Sequence, residues 1–174
     1  MKTVIVLAMH GMTPKDYPID EKKEFLKLHS QVDAGGLSAE QLQRHDELDR
    51  KMRNWPRTPK NDPYNEAAVE MARNLERCSG NEVVLGYNEF CAPSLQDAFA
   101  IAAGKNADRV IAVTPMMTRG GNHSEEEIPA EVAAAQSRFP NIRFEYAWPF
   151  NSVRIAEFLS LHITESSGSR VGKA

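Results

Sequence analysis

The chain has 174 residues, enough for one domain with a single hydrophobic core and too few for two full-sized domains. The composition, 41% hydrophobic and 26% charged, is typical of globular proteins, and a net charge of −3 argues against nucleic-acid binding through a strongly basic surface. The apolar run Val4–Met9 is too short for a membrane span or a signal peptide. Cys78 and Cys91 form neither a disulfide framework nor a CxxC motif. We therefore expect a cytoplasmic protein with no membrane or nucleic-acid partner.

Strand and helix patterns alternate along most of the chain. Continuous apolar runs typical of buried parallel strands are followed by segments whose apolar residues recur every three or four positions. In chain order the patterns predict a strand at 3–9, a helix at 66–78, a strand at 82–90, a helix capped by Ser94, a strand at 109–114, a helix opened by a Ser124–Glu127 capping box, a strand at 142–148 and a helix capped by Asn151. This alternation predicts a three-layer α/β domain with a four-stranded parallel sheet of the flavodoxin type.

Residues 13–62 interrupt the alternation between the first strand and its helix. They hold ten basic and ten acidic side chains, and their apolar residues form narrow stripes at 21–32 and 39–55. Ser38 with Gln41 has the spacing of a capping box for the second stripe. We therefore predict an inserted helical hairpin rather than a second domain.

The domain organisation follows from these patterns. We expect a single domain at residues 1–165 that contains the insertion. The segment 166–174 is composed of serine, glycine, valine, alanine and charged residues, and we expect it to be a flexible tail.

Potential metal ligands follow three of the four predicted strands. His10 comes directly after the first strand, Glu89 lies at the end of the second, and His123 lies in the loop after the third. Open α/β sheets bind ligands beyond the carboxyl ends of their strands, so these side chains share one edge. Two imidazoles and a carboxylate suit Fe²⁺, Co²⁺, Ni²⁺ or Zn²⁺. The convergence leaves two interpretations open, a metal or catalytic site and a structural ion-pair network.

The other candidate ligands have structural interpretations. His29 and His45 lie in the charged insertion and His162 lies on the last helix, where we expect solvated or packing side chains. The acidic run Glu125–Glu127 falls in the first turn of a predicted helix, where carboxylates interact favourably with the helix dipole.

The segments around these residues resemble the class II tetrapyrrole chelatases, specifically the short sirohydrochlorin cobaltochelatases and ferrochelatases. The similarity covers about residues 1–12 and 62–164, with Gly121-x-His123, an acidic stretch and Ile128-Pro129 as its most specific part. The resemblance implies a chelatase-like fold and insertion of Co²⁺, Fe²⁺ or Ni²⁺ into a tetrapyrrole such as sirohydrochlorin, in cobalamin or sirohaem biosynthesis. It implies no organic cofactor. It also implies a homodimer, because larger members contain two such domains.

The resemblance also implies roles for the three residues. His10 and His123 would bind the metal, with Glu89 as the accompanying acid, and all three would take part in catalysis. His10 is our choice of base for the two pyrrole protons that must leave. Glu89 would orient a histidine, accept a proton or complete the metal coordination. The sequence departs from the family pattern at Met12, where a serine is usual, and in the length of the insertion.

The insertion begins shortly after His10 in the sequence, so its helices should lie at the edge of the sheet where ligands bind. It could form a lid over the tetrapyrrole, with Lys15, Lys22 or Arg57 pairing with substrate carboxylates. In that role, large apolar groups such as Tyr17, Phe25 and Trp55 could meet the macrocycle. A surface decoration and a dimer interface are the alternatives.

Two other classes of protein share some of these features. Histidine phosphatases begin with a strand that ends in Leu-x-Arg-His-Gly, but here Met9 replaces the arginine that would bind phosphate. A non-catalytic metal carrier or sensor would have the same two histidines and glutamate without a cleft for a macrocycle.

Overall fold

The computed structural model describes residues 1–32 and 35–168. Within these ranges, one sheet contains the strands β1 (Thr3–Met9), β2 (Glu82–Tyr87), β3 (Arg109–Val113) and β4 (Arg143–Tyr146). The helices are α1 (Ile19–Val32), α2 (Ala39–Arg53), α3 (Pro63–Ser79), α4 (Leu95–Gly104), α5 (Ile128–Arg138) and α6 (Ser152–Gly168). All strand pairs are parallel, in the order β2-β1-β3-β4, so the predicted α/β fold is confirmed.

The central strand β1 carries His10 into the middle of the sheet edge. Its residues from Val4 to Met9 are all buried, and its main chain pairs with β2 on one side and β3 on the other. Side chains of a strand point alternately to opposite faces. Val4, Val6 and Ala8 therefore join the core under α4 and α5, while Leu7 and Met9 join the core under α3. Helices packed against both faces of the sheet therefore hold the end of β1, and with it His10, in place.

The insertion folds as the predicted hairpin of α1 and α2, and the Ser38–Gln41 capping box is present. It has a hydrophobic core of its own, which contains Tyr17 and the fully buried Phe25. Phe90, from the loop after β2, packs into the same core. Because Tyr17 and Phe25 are buried inside the hairpin, they are not available to contact a macrocycle as the lid hypothesis suggested.

Arg57 joins the hairpin to the sheet instead of facing a substrate. Its side chain is 9% exposed and pairs with the buried carboxylate of Asp62 at 2.5 Å. It also donates hydrogen bonds to the carbonyl oxygens of Met12, Met52 and Phe90. A buried cation that satisfies several acceptors costs several kcal/mol to unpair, on the order of 3–5. The hypothesis that Arg57 reaches substrate carboxylates is therefore wrong.

The start of α5 differs from the prediction. Residues His123–Glu127 form one turn of π-helix that continues directly into α5. Ser124 donates its hydroxyl to the carbonyl oxygen of Gly121, and the Glu127 carboxylate bonds to His123 instead of a helix-cap amide. The predicted Ser124–Glu127 capping box is therefore wrong, whereas the predicted cap of α4 by Ser94 is confirmed, and Asp97 completes a capping box there.

The last helix, α6, exposes large apolar side chains around its circumference. Each of the following is half or more exposed: Val153, Phe158, Leu159, Leu161 and Ile163. The helix runs to Gly168, past the predicted start of the tail, and residues 169–174 lie outside the described residues. Across 1–32 and 35–168, none of the helices combines the length and apolar character that crossing a membrane requires.

Candidate metal centre

Three side chains meet at the carboxyl edge of the sheet. His10 directly follows β1, Glu89 lies in the loop after β2, and His123 opens the π-helical turn that follows β3. One ligand atom from each lies within 4.8 Å of the other two. His10 Nε2 is 3.8 Å from Glu89 Oε2, and the two imidazole centroids are 4.6 Å apart with nearly perpendicular planes. The structure thus brings together the three predicted residues in an arrangement that could hold a divalent metal.

The main chain beside His10 fixes which ring nitrogen is available. His10 Nδ1 lies 2.7 Å from the carbonyl oxygen of Gly11. A carbonyl can only accept a hydrogen bond, so Nδ1 carries the proton and Nε2 keeps a free lone pair in the neutral ring. Nε2 is also the nitrogen that faces Glu89. Nε2 is therefore the nitrogen through which His10 could bind a metal.

Gly11 allows the loops after β1 and β2 to approach each other. Its φ of +95° lies in the left-handed region, and a Cβ at this position would be 1.9 Å from the carbonyl oxygen of Glu89. No other residue type fits this contact without moving one loop. The glycine therefore determines how near Glu89 can be to His10.

His123 is oriented by a carboxylate one π-helical turn further along the chain. Its Nδ1 lies 2.7 Å from Glu127 Oε2, and the same carboxylate accepts hydrogen bonds from the side-chain amides of Asn122 and Asn88. A carboxylate accepts only, so His123 Nδ1 carries the proton and Nε2 is free to bind a metal. Such carboxylate–histidine pairs hold the ring in place and increase its basicity.

Glu127 is a residue of the site that the sequence analysis missed. The spacing of four residues between His123 and Glu127 was the available signal, because side chains four apart share a helix face. Glu127 also fits a capping box with Ser124, and that pattern predicts a different partner for its carboxylate.

Glu89 is held by a histidine from the insertion. His29 Nε2 lies 3.1 Å from Glu89 Oε1, while Glu89 Oε2 faces His10. Burial raises the pKa of Glu89, but the hydrogen bond from His29 and the positive potential of His29, His123 and His10 outweigh it and hold the pKa below its usual value. Glu89 is thus ionised at neutral pH, the state in which a carboxylate binds metals.

The three histidines set aside by the sequence analysis have different environments. His29 packs against Phe25 and His45, as expected of a packing residue, and it also contacts the candidate metal ligand Glu89, which the sequence did not predict. His45 is buried, and its ring stacks on Phe25 at 5.2 Å, which confirms a packing role. His162 is exposed on α6 beside Phe158, as predicted.

An open cavity lies at the same edge of the sheet, in the loops that follow β3 and β4. Its lining comes from residues 117–119 after β3 and from residues 149–153 and Ile155 around the start of α6, and its volume is about 640 Å³. Met117 and Phe150 give it apolar surface, and Arg119, which pairs with Glu125 at 3.0 Å, also lines it. The apolar groups suit a flat ligand.

A parallel α/β sheet that presents two histidines and a glutamate at its carboxyl edge is the arrangement expected of a class II chelatase. The model of the CbiX family matches residues 60–164, more than half of the chain, and the chain belongs to this family. The match includes Glu89 and His123. It does not include β1 with His10 or the hairpin of α1 and α2.

Two curated relatives are sirohydrochlorin ferrochelatases. The protein from Priestia megaterium is 27% identical over 107 residues, which cover 59% of this chain and 40% of the relative. The protein from Bacillus subtilis (strain 168) is 29% identical over 87 residues, which cover 48% of this chain and 33% of the relative. The chain thus spans less than half the length of either protein.

A solved structure from Marinobacter aquaeolei VT8 has a similar fold along nearly its whole length. Its description assigns it to cobalamin (vitamin B12) biosynthesis as a CbiX protein. The two folds superimpose with a TM-score of 0.56 at 14% identity, over 97% of this chain and 98% of that one. At this level of identity the likeness establishes the fold.

Replacing Glu127 with alanine tests how His123 is oriented. We expect Glu127→Ala to weaken Co²⁺ binding by about 10- to 100-fold, because His123 loses the partner that fixes its ring and its free nitrogen. Glu126→Ala is the matched control, since it removes the same charge from an exposed residue of the same turn. Isothermal titration with Co²⁺ measures both affinities. Equal affinities of the two variants would show that Glu127 does not orient a ligand.

Proposed function

We propose that this protein is a metal chelatase that inserts a divalent metal ion into sirohydrochlorin or a closely related tetrapyrrole. The metal would be Co²⁺, Fe²⁺ or Ni²⁺, and the product would serve cobalamin or sirohaem biosynthesis. One observation carries the proposal: in a chain of the CbiX family, potential ligand atoms of His10, Glu89 and His123 lie within 4.8 Å of one another. The two relatives named sirohydrochlorin ferrochelatase support the choice of tetrapyrrole.

The proposed reaction exchanges protein ligands for macrocycle nitrogens. The metal substrate binds Nε2 of His10, Nε2 of His123 and the Glu89 carboxylate, with its other positions open. The tetrapyrrole approaches from the side of His10, the most exposed of the three side chains at 37%. The four nitrogens of the macrocycle then bind the metal in place of the protein ligands, and the macrocycle loses two N–H protons for each divalent ion.

Those two protons need acceptors at the site. Once the metal leaves, His10 Nε2 has a free lone pair and lies beside the ionised Glu89. We propose that His10 takes one proton and that Glu89, 3.8 Å away, assists or takes the second. The cavity in the loops that follow β3 and β4 would receive the macrocycle.

The alternatives differ from chelation in what they require of the structure. Phosphotransfer of the histidine-phosphatase type would need an arginine in the place of Met9, a side chain buried in the core at the end of β1. A metal carrier would use the same three ligands and would not react with a tetrapyrrole, so the insertion assay distinguishes it.

Alanine variants of the two candidate histidine ligands test the proposed activity. We expect His10→Ala and His123→Ala each to lower the insertion rate by at least about 100-fold, because the metal loses a ligand and His10→Ala also removes a base. Both residues follow strands at the sheet edge, so the fold should tolerate the changes. The readout is the absorbance change after mixing protein, sirohydrochlorin and Co²⁺ without oxygen.

The control for this experiment is His162→Ala, which removes an exposed imidazole on α6. Its insertion rate should equal that of the parent. Near-parental rates for His10→Ala or His123→Ala would refute the site assignment. A parent protein that binds Co²⁺ but leaves the sirohydrochlorin spectrum unchanged would instead identify a metal carrier.

We also propose that the protein forms a homodimer and works in the cytoplasm. The exposed apolar side chains of α6 form a surface that a second copy could cover, and two-fold dimers are the commonest soluble assemblies. The curated relatives are more than twice as long as the segments they share with this chain, which leaves room for a second domain. A reducing compartment suits the free thiols of Cys78 and Cys91.

A charge among the exposed apolar side chains of α6 tests the dimer. We expect the parent to have the mass of two chains by light scattering, and Leu159→Glu to have the mass of one, because a buried charge in the interface would be unpaired. Thr164→Glu adds the same charge to an exposed residue on the far side of the helix from Leu159 and serves as the comparison. A monomeric parent at working concentrations would remove the dimer from the proposal.

A further inference from the structure

The inserted hairpin reaches the candidate metal centre through one hydrogen bond. Among the described residues, the side chain that donates to the Glu89 carboxylate is His29, at 3.1 Å from Oε1. The two residues are 60 positions apart in the sequence, and His29 lies on α1, outside the part of the chain that matches the family. The contact is therefore specific to how this hairpin sits on the sheet.

His29 is itself held firmly. The rings of His29 and His45 both stack on Phe25, at 5.1 and 5.2 Å between centroids, and the planes of the two imidazoles differ by 9°. His29 Nδ1 also lies 3.0 Å from His45 Nε2. Phe25 is fully buried and His45 is 9% exposed, so the core of the hairpin fixes the plane of the His29 ring.

The direction of these hydrogen bonds follows from the chemistry of the groups. An ionised Glu89 only accepts, so His29 donates from Nε2. His29 Nδ1 lies against His45 Nε2, and the other nitrogen of His45, Nδ1, lies 3.1 Å from the carboxylate of Asp46. On the side of the metal centre the series of contacts ends on one oxygen of Glu89.

The consequence concerns how Glu89 can bind a metal. A carboxylate can use one oxygen or both. Here Oε1 is engaged by His29, and Oε2 is the oxygen that faces His10. A carboxylate fixed in this way offers a single oxygen and leaves one more coordination position open for an incoming nitrogen.

We propose that His29, supported by His45, is a positioning residue that holds Glu89 as a one-oxygen ligand, so that the inserted hairpin is part of the metal centre. This inference rests on the proposed metal site of the chelatase. It differs from the lid hypothesis, in which removal of the hairpin would leave metal affinity unchanged. Here metal affinity depends on α1 even when no tetrapyrrole is present.

The test compares Co²⁺ binding by the full-length parent and three variants, without tetrapyrrole. His29→Ala should weaken Co²⁺ affinity by about 10- to 100-fold. It should also change the visible absorption spectrum of bound Co²⁺, because Glu89 can then bind through both oxygens. His29→Gln keeps an N–H donor near the position of Nε2 and should restore the parental spectrum and most of the affinity.

The third variant, Lys27→Ala, changes an exposed residue of the same helix and should match the parent. Thermal unfolding of each variant, followed by circular dichroism, shows whether the hairpin has kept its structure. If His29→Ala is folded and retains both the parental affinity and the parental Co²⁺ spectrum, the inference is overturned. Failure of His29→Gln to restore the spectrum would also overturn it, since a hydrogen-bond donor would then not be what matters.

Insertion activity separates this inference from the proposed function. A parent that binds Co²⁺ in a His29-dependent way but inserts none supports the positioning role and refutes the chelatase. A parent that inserts metal at the same rate with and without His29, with unchanged Co²⁺ affinity, supports the chelatase and refutes the positioning role. A parent that binds no Co²⁺ refutes both.

Discussion

The contact between Gly11 and the loop after β2 determines the geometry of the candidate metal centre. The main-chain amides of Asn88 and Glu89 donate to the carbonyl oxygens of Met9 and His10, each at 2.9 Å, which joins the second loop to the end of β1. This approach is possible only because Gly11 has no side chain, since a Cβ there would be 1.9 Å from the Glu89 carbonyl. The close approach of the two backbone segments therefore limits the distance between His10 and Glu89.

Each of the three candidate ligands is oriented by a different partner. A main-chain carbonyl holds His10, the carboxylate of Glu127 holds His123, and the imidazole of His29 holds Glu89. In both candidate histidine ligands this leaves Nε2 as the free nitrogen. Sites that bind metals tightly keep such partners around their ligands, because a ligand that needs no reordering costs less conformational entropy on binding.

The sequence predicts the frame of this site well. The buried apolar run places β1 at residues 3–9, as observed, and the parallel sheet brings the residues after each strand to one edge. The convergence of His10, Glu89 and His123 follows from that topology alone. Local capping signals succeed where no other partner competes, as at Ser38 and Ser94.

The roles of Glu127 and His29 depend on contacts that the sequence pattern does not specify. Glu127 fits both a capping box and a pair with His123, and only the three-dimensional position of the imidazole decides between them. His29 meets Glu89 through a contact between distant segments. The hairpin is placed on the sheet by Arg57 and Phe90, whose burial no periodic pattern reveals.

The most direct test of this account is X-ray absorption spectroscopy at the cobalt edge of the Co²⁺-loaded protein without tetrapyrrole. The structure predicts two imidazole nitrogens and a carboxylate oxygen, at about the 2.0–2.2 Å typical of first-row divalent metals, with the remaining positions filled by water. The imidazole signal should fall by half in either His10→Ala or His123→Ala. A shell of oxygen atoms alone, or an imidazole signal that neither substitution reduces, would contradict the assignment of the metal centre.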